Sequence, residues 1–305
     1  MKILFVSSGN RSQGKPSILI ENQANSLKSF AEIDIYLIDS PGFIGYFTHI
    51  FKLAKIINSV KPDVIHAHYS LCGYVAFFAK ILSFNKPKIV VSLMGSDVHR
   101  KSTSRYFLRF FIKNNWKSTI VKTQQMKSVI GMNKIHVIPN GVDLTIANQT
   151  LEIEKDTLIF PADPSRESKN FDLAHAAIEE VKKHNPDVKM KVVYGVSHSD
   201  LLREIASSSV LMLTSRWEGS PNVVKEAMAL NRPVVSTDVG DVSLLFGPTD
   251  GYFISSNQVD EFAQNILKAL DFVNNNSETR GRQRIISLKL DSESVAKKLM
   301  EVYVS

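Results

Sequence analysis

Two glutamates of the carboxyl-terminal half, Glu218 and Glu226, lie eight positions apart on either side of a predicted helix start. The first N–H groups of a helix have no intrahelical partners and attract anions. A carboxylate one turn further along can accept hydrogen bonds from hydroxyl groups. Glu226 lies four residues beyond Asn222, which is about 6 Å along the axis at ~1.5 Å per residue. This spacing fits a phosphate at the helix start and a ribose one turn deeper, so it predicts a nucleotide-diphosphate pocket.

Local capping signals delimit this helix. Ser220 is a favoured N-cap residue, and Pro221 suits the first helical position because its missing N–H is not needed there. Asn231 can adopt the left-handed conformation that ends a helix, and Pro233 prevents its continuation. We therefore predict a helix over 221–230.

The whole segment 218–235 resembles the E-x7-E signature of the GT4 retaining glycosyltransferases, which reads roughly E-G-x-P-x-x-x-x-E-A-M-A-x-G-x-P-V-V. Every fixed position matches except the glycine, which is Asn231 in this chain. The resemblance implies an α/β protein of the GT-B fold, with two facing Rossmann-like domains and a cleft between them. The competing interpretation is a surface helix that carries two solvated glutamates.

Alternating strand and helix patterns support a parallel sheet in each half of the chain. We expect an acceptor-side domain over residues 1–144 and a nucleotide-sugar donor domain over residues 145–305, with the last helix able to pack back on the first domain. The sequence I-P-N-G-V-D at 138–143 resembles the family's hinge between the two domains. The predicted strands of the second domain are 156–160, 189–194, 210–214 and 233–236.

Two cations follow the first strand of the second domain. Arg166 and Lys169 can converge on one diphosphate, the arginine through its planar fork and the lysine as a point charge. The resemblance assigns both to the donor phosphates, where they offset the charge of the leaving group. The segment 160–163 reads F-P-A-D where the family usually has V-G-R, so Lys169 matches the motif more closely. A solvated basic loop is the alternative.

The remaining donor-side residues surround the helix start. Glu226 is assigned to the ribose hydroxyls, and the resemblance makes Glu218 functional at the donor sugar or its neighbouring loop. Val196 and Ser197 are candidates for the base pocket. Residues expected to shape the phosphate site, mainly through their backbone, are Gly219, Ser220, Pro221, Asn222 and Val223.

The first half carries the acceptor-side candidates. The strand end S-L-M-G-S-D places Met94 where the family commonly has a histidine, and it leaves Asp97 as the candidate catalytic residue. His66 and His68 resemble a strand end of the family, and we assign His68 to the acceptor and His66 to packing. Gly14 matches loosely a glycine-containing loop over donor and acceptor. No G-x-G-x-x-G is present, which argues against a nicotinamide dehydrogenase.

Charge is divided unevenly along the chain. Residues 1–144 carry 19 Lys or Arg against 7 Asp or Glu, although the whole chain has a net charge of only +7. The first half is therefore expected to meet an anionic partner. Basic and aromatic residues occur together in 43–55 and 100–117, which suits an anionic membrane surface, but core helices with solvated basic faces fit equally well. No nucleic-acid-binding motif accompanies the charge.

The leading hypothesis is a retaining glycosyltransferase of hexosyltransferase type that moves a sugar from a nucleotide-diphosphate sugar to a glycan or lipid-linked acceptor in cell-surface polysaccharide synthesis. Its family generally needs no divalent metal, and no metal site is expected here. A catalytically reduced, nucleotide-sugar-binding partner of another glycosyltransferase is the alternative, and an epimerase on the same fold is a third. One cysteine, Cys72, suits a reducing compartment. We expect a cytoplasmic location, with a peripheral position at the inner face of the cell membrane compatible with the basic half.

Overall fold

A computed structural model describes residues 1–9, 14–40, 42–98, 102–145, 151–275 and 279–305. The chain divides into two compact units, the first formed by Met1–Gly141 with Ser292–Ser305 and the second by Val142–Asp291. This division lies three residues before the expected boundary at 144. It also assigns the last helix to the first unit.

The sheet of the first unit is entirely parallel and has the strand order β2-β1-β3-β4-β5-β6. Parallel strands are covered on both faces, so they are expected to be apolar throughout. In the first strand Ile3 to Val6 are at most 1% exposed. The strands are β1 (Lys2–Ser8), β2 (Glu32–Ile38), β3 (Val64–His68), β4 (Lys88–Ser92), β5 (Ser118–Val121) and β6 (Ile135–Val137).

Helices cover both faces of this sheet. They are α1 (Ile18–Leu27), α2 (Gly42–Val60), α3 (Ser70–Leu82), α4 (Gly95–Val98), α5 (Ser102–Asn114), α6 (Gln124–Ile130) and, from the end of the chain, α13 (Ser292–Val304). Leu4 and Val6 point into a core with α2, α3 and α5, whereas Ile3 and Phe5 point into a second core with α1 and α13. The alternation follows from the two-residue period of a strand.

The second unit contains a parallel sheet of strand order β11-β10-β9-β7-β8. Its strands are β7 (Glu154–Phe160), β8 (Lys189–Val192), β9 (Ser208–Leu213), β10 (Val234–Thr237) and β11 (Tyr252–Ser255). The predicted strands correspond to β7 through β10 with shifted ends. The edge strand β11 was not predicted.

The helices of the second unit also form two layers. They are α7 (Phe171–Lys182), α8 (His198–Ser207), α9 (Asn222–Ala229), α10 (Val242–Phe246), α11 (Val259–Asn275) and α12 (Gly281–Ser287). The helices α7 and α11 share one core, and α8, α9, α10 and α12 share the other. Because all strands of the unit run parallel, the segments after β7, β8, β9 and β10 leave from the same edge of the sheet.

No helix within the described ranges is long and apolar enough to cross a membrane.

Candidate functional site

Lys169 and Glu218 form an ion pair at the strand ends of the second unit. Lys169 follows β7, Glu218 follows β9, and these strands are neighbours. Lys169 Nζ donates to Glu218 Oε1 at 2.5 Å, and the two side chains are 15% and 21% exposed. Ser215 Oγ donates to the same oxygen at 2.9 Å. The fold therefore brings the predicted phosphate-binding lysine into contact with the first glutamate of the E-x7-E segment.

The backbone around Lys169 is held independently of its side chain. A 3-10 turn over Glu167–Lys169 ends at Asn170, which has a left-handed φ of +51°. Thr214 Oγ1 donates to the carbonyl oxygens of Lys169 and Asn170 at 2.8 and 3.1 Å. The lysine loop is thus attached to the end of β9.

Two arginines flank the loop that carries Lys169. Arg166 precedes it in the segment after β7, and Arg216 follows the neighbouring strand β9. Arg166 is exposed just before the 3-10 turn. Arg216 Nη1 lies 3.5 Å from Glu167 Oε1, and its Nη2 lies 3.5 Å from Asn170 Oδ1. Arg216 was not predicted as a site residue. Its signal in the sequence was its position two residues before Glu218.

The helix predicted between the two glutamates is present as α9. It spans Asn222–Ala229, one residue shorter at each end than predicted, and Asn231 has the left-handed φ of +54° expected after its end. The prediction that Ser220 caps it is wrong, because Pro221 occupies the N-cap position and none of the described side chains caps the helix. Its first N–H groups are therefore available to an external acceptor. The side-chain oxygen of Asn222 is buried and lacks a hydrogen-bond partner among the described residues.

Glu226 is paired with His198, the first residue of α8. His198 Nε2 lies 2.9 Å from Glu226 Oε1, with side-chain exposures of 22% and 12%. The hydrogen bond to Glu226 raises the pKa of His198 against the opposing effect of burial. The carboxylate assigned to the ribose is thus held in place beside a titratable imidazole.

The loop before α8 contains the two base-pocket candidates. Val196 is exposed, whereas Ser197 is the N-cap of α8, where its Oγ accepts from Asp200 N at 3.2 Å and donates to Asp200 Oδ2 at 2.6 Å. The structure places both residues beside His198. The hydroxyl of Ser197 is already used for capping.

Behind the start of α9 lies a buried lysine that sequence analysis did not single out. Lys225 is fully buried, and its Nζ donates to Ser220 Oγ at 3.2 Å. Burial lowers the pKa of Lys225 to about 8, although the charges of Asp241 and Glu226 oppose this shift. Burial likewise raises the pKa of Asp241, which is counteracted by a hydrogen bond from Ser220 and by Lys225. Ser220 thus belongs to a buried charged network.

The candidates of the first unit have two separate environments. Asp97 is 4% exposed and links two strand ends: Oδ1 accepts from Ser70 N and Oγ at 3.1 and 2.5 Å, and Oδ2 accepts from Met94 N at 2.7 Å. These bonds give Asp97 a role in holding the loop. Gly14 has a left-handed φ of +78°, with open space where a side chain would be.

The two histidines of β3 differ in their partners. His66 is packed as predicted, and its ring nitrogens are hydrogen-bonded to Tyr303 Oη at 2.6 Å and Ser92 Oγ at 2.8 Å. His68 is equally buried, but neither of its ring nitrogens has a partner in the described part of the chain. Burial and the charge of Lys122 lower the pKa of His68 to about 3, so its ring is neutral at pH 7. It is therefore a neutral imidazole with unused hydrogen-bonding capacity.

Comparisons with known proteins match a glycosyltransferase family model to each unit. A family model described as "Glycosyl transferases group 1" matches residues 175–271, and one described as "Glycosyl transferase 4-like" matches residues 17–125. An uncharacterized glycosyltransferase of Methanocaldococcus jannaschii is 28% identical over 265 residues, which cover 78% of this chain and 73% of the relative. The chain belongs to the group 1 glycosyltransferases.

Two further proteins resemble this group 1 glycosyltransferase. The UDP-Gal:alpha-D-GlcNAc-diphosphoundecaprenol alpha-1,3-galactosyltransferase of Escherichia coli is 22% identical over 271 residues, covering 73% of this chain and 70% of that protein. The crystal structure of Anabaena HepE in complex with UDP and glucose superimposes with a TM-score of 0.73 at 15% identity, covering 99% and 98% of the two chains. The fold is accordingly GT-B.

In this group 1 glycosyltransferase the second unit gathers most of the predicted donor residues. Lys169 meets Glu218, and Glu226 lies inside the helix that Glu218 precedes. The described residues contain no group of three or more His, Cys, Asp or Glu side chains placed to hold a metal ion. Sequence analysis missed Arg216 and Lys225, which are close to or within the motif in sequence, and Asp241, which is joined to it only through tertiary contacts.

Lys225 gives the glycosyltransferase a testable pH dependence of stability. Its folded pKa of about 8 lies below the usual lysine value of 10.5, so between these values the unfolded chain binds more protons. The free energy of unfolding should therefore rise with pH across this window, by roughly 3 kcal/mol at ~1.4 kcal/mol per pKa unit. Urea unfolding of wild type and Lys225→Met, compared pH by pH, isolates this contribution.

The Lys225→Met variant should lack the rise, whereas Lys182→Met should retain it. Lys182 is a suitable control because it is 44% exposed and pairs with Glu179 on the surface of the same unit. Parallel stability curves for wild type and Lys225→Met would show that the buried ammonium is not the titrating group.

Proposed function

We propose that this chain is a retaining glycosyltransferase of GT4 type that moves a hexose from a nucleotide-diphosphate sugar to a glycan or lipid-linked acceptor in cell-surface polysaccharide synthesis. The observation that carries the proposal is the arrangement of Lys169, Glu218 and α9 in the second unit. The cation and the uncapped helix start suit a diphosphate, and the carboxylate one turn inside the helix suits a ribose. Glu218, beside the cation, suits the donor sugar. We further propose a cytoplasmic location and contact of the basic first unit with an anionic membrane surface.

The donor chemistry follows from the charges of these groups. The bond between the anomeric carbon and the β-phosphate oxygen breaks, and negative charge develops on the departing diphosphate. Lys169, Arg166 and the N–H groups at the start of α9 stabilise that charge, which is an electrostatic contribution of the kind that dominates many enzyme rate enhancements. Glu226 binds the ribose hydroxyls, and Glu218 contacts the donor sugar. We propose that these groups supply enough positive potential for catalysis without a divalent metal.

Retention requires the acceptor oxygen to bond to the anomeric carbon on the face that the phosphate leaves. The acceptor hydroxyl then transfers its proton to the departing phosphate, so that no protein nucleophile is needed. On the acceptor side we propose His68, whose ring nitrogens can still hydrogen-bond, together with Asp97 and Gly14 as parts of the surrounding loops.

Two related proteins suggest which substrates to test first. The Escherichia coli relative is named for UDP-Gal and a diphosphoundecaprenol-linked acceptor, and HepE was crystallised with UDP. We propose a UDP-sugar donor for this chain on that basis. Thermal-shift measurements with UDP, GDP, ADP, CDP and dTDP test the pocket and the base in one experiment.

Glu226→Ala should weaken the binding of the selected nucleoside diphosphate by about 100-fold, because two charge-assisted hydrogen bonds to the ribose are lost. Isothermal titration calorimetry measures this change, with Glu204→Ala as the matched control. Glu204 pairs with Lys191 at 2.9 Å in the same unit, so it tests the removal of an ordinary paired carboxylate. Equal affinities for all three proteins would remove Glu226 from the donor site.

Transfer assays with and without EDTA test the proposal of metal-independent catalysis.

One observation favours a second candidate, a catalytically reduced partner of another glycosyltransferase. Met94 cannot exchange a proton, and its backbone N–H is engaged by Asp97. A reduced partner would bind the nucleoside diphosphate but would neither transfer nor hydrolyse the sugar. Turnover of UDP-sugars by the isolated chain separates the two functions.

A further inference from the structure

Large apolar side chains are exposed on one helical layer of the first unit. The helices α2, α3 and α5 pack on the same face of the sheet and share one core. Their outer surface and the turn after α3 carry exposed aromatic and aliphatic side chains, among them Phe84 at 94% and Tyr106 at 71% exposure. We call this surface the aromatic face, defined by Phe47, Phe51, Ile81, Phe84, Tyr106 and Phe110. These side chains are exposed, whereas other apolar residues of the same helices, such as Leu108 and Phe111, lie in the core.

The helices that carry the aromatic face contact one another. Tyr74 of α3 contacts Phe107 of α5, with ring centroids 5.0 Å apart. The backbone N–H of Phe84 donates to Asn58 Oδ1 at 2.8 Å, which attaches the turn after α3 to the end of α2. Several large apolar side chains exposed on neighbouring helices are uncommon on a monomer and mark an interaction site.

The charges on this layer all have one sign. The sequences of α2, α3 and α5 contain no Asp or Glu. They carry Lys52, Lys55, Lys80, Arg105, Arg109 and Lys113. Lys52, Lys55 and Lys113 are exposed in the same layer as the aromatic rings. Aromatic side chains beside unpaired positive charge are typical of protein surfaces that lie in the headgroup region of anionic membranes.

We propose that the aromatic face docks on an anionic lipid bilayer, with its rings at the boundary of headgroups and acyl chains and its lysines against lipid phosphates. A second copy of the chain fits less well, because a two-fold contact would place the same cationic surfaces against each other without a carboxylate on these helices to neutralise them. The inference specifies the membrane partner proposed above and rests on that proposal.

Vesicle flotation tests the docking surface directly. The proteins are wild type, the aromatic variant Phe47→Gln with Phe84→Gln and Phe110→Gln, and the charge variant Lys52→Gln with Lys55→Gln and Lys113→Gln. The matched control is Leu244→Gln with Ile286→Gln, two exposed aliphatic side chains of the second unit at 58% and 49% exposure. The vesicles contain phosphatidylcholine alone or phosphatidylcholine with phosphatidylglycerol.

Wild type and the control should float with the anionic vesicles and should stay in the lower fraction with phosphatidylcholine alone. The aromatic variant should bind at least about tenfold more weakly because apolar area no longer inserts, and the charge variant should lose most of the salt dependence of binding. All substituted positions are exposed, so circular dichroism should report unchanged thermal midpoints. If the aromatic variant were destabilised, the charge variant would decide the test.

Failure of wild type to bind anionic vesicles, or equal binding by the aromatic variant, would overturn the proposal. A wild-type dimer that the aromatic variant dissociates would also overturn it and would assign the face to a second copy. The measurement uses neither donor nor acceptor, so its outcome is independent of Glu226 and the donor site. If wild type floats with anionic vesicles but binds no nucleoside diphosphate, the proposed transferase function is contradicted and the docking proposal is not.

Discussion

Replacing Lys169 by Met is expected to lower the rate of sugar transfer by about 10²- to 10³-fold, the range found when one preorganised donor to a developing negative charge is removed. Lys169 Nζ is 2.5 Å from Glu218 Oε1 and only 15% of its side chain is exposed, so its charge acts in a partly shielded site. Methionine keeps the length and apolar body of the side chain but has no charge. Because the diphosphate is more negative as it leaves, the loss should lie mainly in kcat.

The Lys169→Met variant should nevertheless fold. Thr214 holds the main chain of this loop through the carbonyl oxygens of Lys169 and Asn170, and these bonds do not involve the ammonium group. Glu218 loses its cation but keeps the hydrogen bond from Ser215. The thermal midpoint is therefore expected to change little compared with the change in rate.

Steady-state kinetics with a UDP-sugar measure the effect, and Lys182→Met is the matched control. Lys182 pairs with Glu179 at 2.8 Å, but the two side chains are 44% and 55% exposed and lie on a helix surface. An exposed pair of this kind contributes little, so the control should retain the wild-type rate. A Lys169→Met enzyme as fast as the control would remove Lys169 from the catalytic site.

Sequence predicted best those features that depend on neighbouring residues. The helix α9 was recognised from its flanking residues, and the left-handed Asn231 ended it as predicted because that conformation is a local property. The cap was assigned wrongly because capping competes with tertiary contacts. Ser220 bonds to Lys225 and to Asp241, and Asp241 comes from the loop after β10. Nothing in the local sequence shows that this loop lies beside Ser220.

Contacts between residues of the site that are far apart in sequence were likewise not predictable from the local sequence. Lys169 and Glu218 are 49 residues apart, and their contact follows from the adjacency of β7 and β9 in the sheet. His198 and Glu226 are joined in the same way through α8 and α9. Residue types and motif spacing could nominate Lys169, Glu218 and Glu226, but only the strand order could pair them.

The sequence also could not predict which aromatic side chains of a helix are exposed. Phe110 and Phe111 of α5 are neighbours in sequence and chemically identical, yet Phe111 is 3% exposed and Phe110 is 56% exposed. Aromatic residues on both sides of a helix leave its buried face undetermined by periodicity alone. The packing of α5 on Tyr74 and Trp116 decides it, since Phe111 contacts both rings.

A second large effect is expected from Gly240→Ala in the loop that supports the helix start. Gly240 has a left-handed φ of +62°, and a Cβ at this position would lie 2.0 Å from Gly219 O and 2.8 Å from Gly219 C. A left-handed alanine costs roughly 1–2 kcal/mol, and the backbone overlap adds roughly 1–3 kcal/mol. We expect the free energy of unfolding to fall by about 2–5 kcal/mol.

The same substitution should weaken the donor site. Gly219 directly follows Glu218 and precedes the start of α9. A shift of Gly219 that relieves the overlap would therefore move the carbonyl between the proposed sugar-binding carboxylate and the proposed phosphate-binding N–H groups. The affinity for UDP should fall even at temperatures where the variant remains folded. Calorimetric titration well below the thermal midpoint separates this effect from unfolding.

Gly195→Ala provides the matched control for stability. Gly195 lies in the same unit with a similar φ of +69°, but no heavy atom lies within 4 Å of the position that its Cβ would occupy. Its substitution should cost only the roughly 1–2 kcal/mol of the left-handed backbone. The difference between the two variants in urea unfolding then measures the overlap with Gly219. Equal losses of stability in the two variants would mean that the loop after β10 moves at no cost. The close approach of Gly240 to Gly219 would then not hold the start of α9 in place.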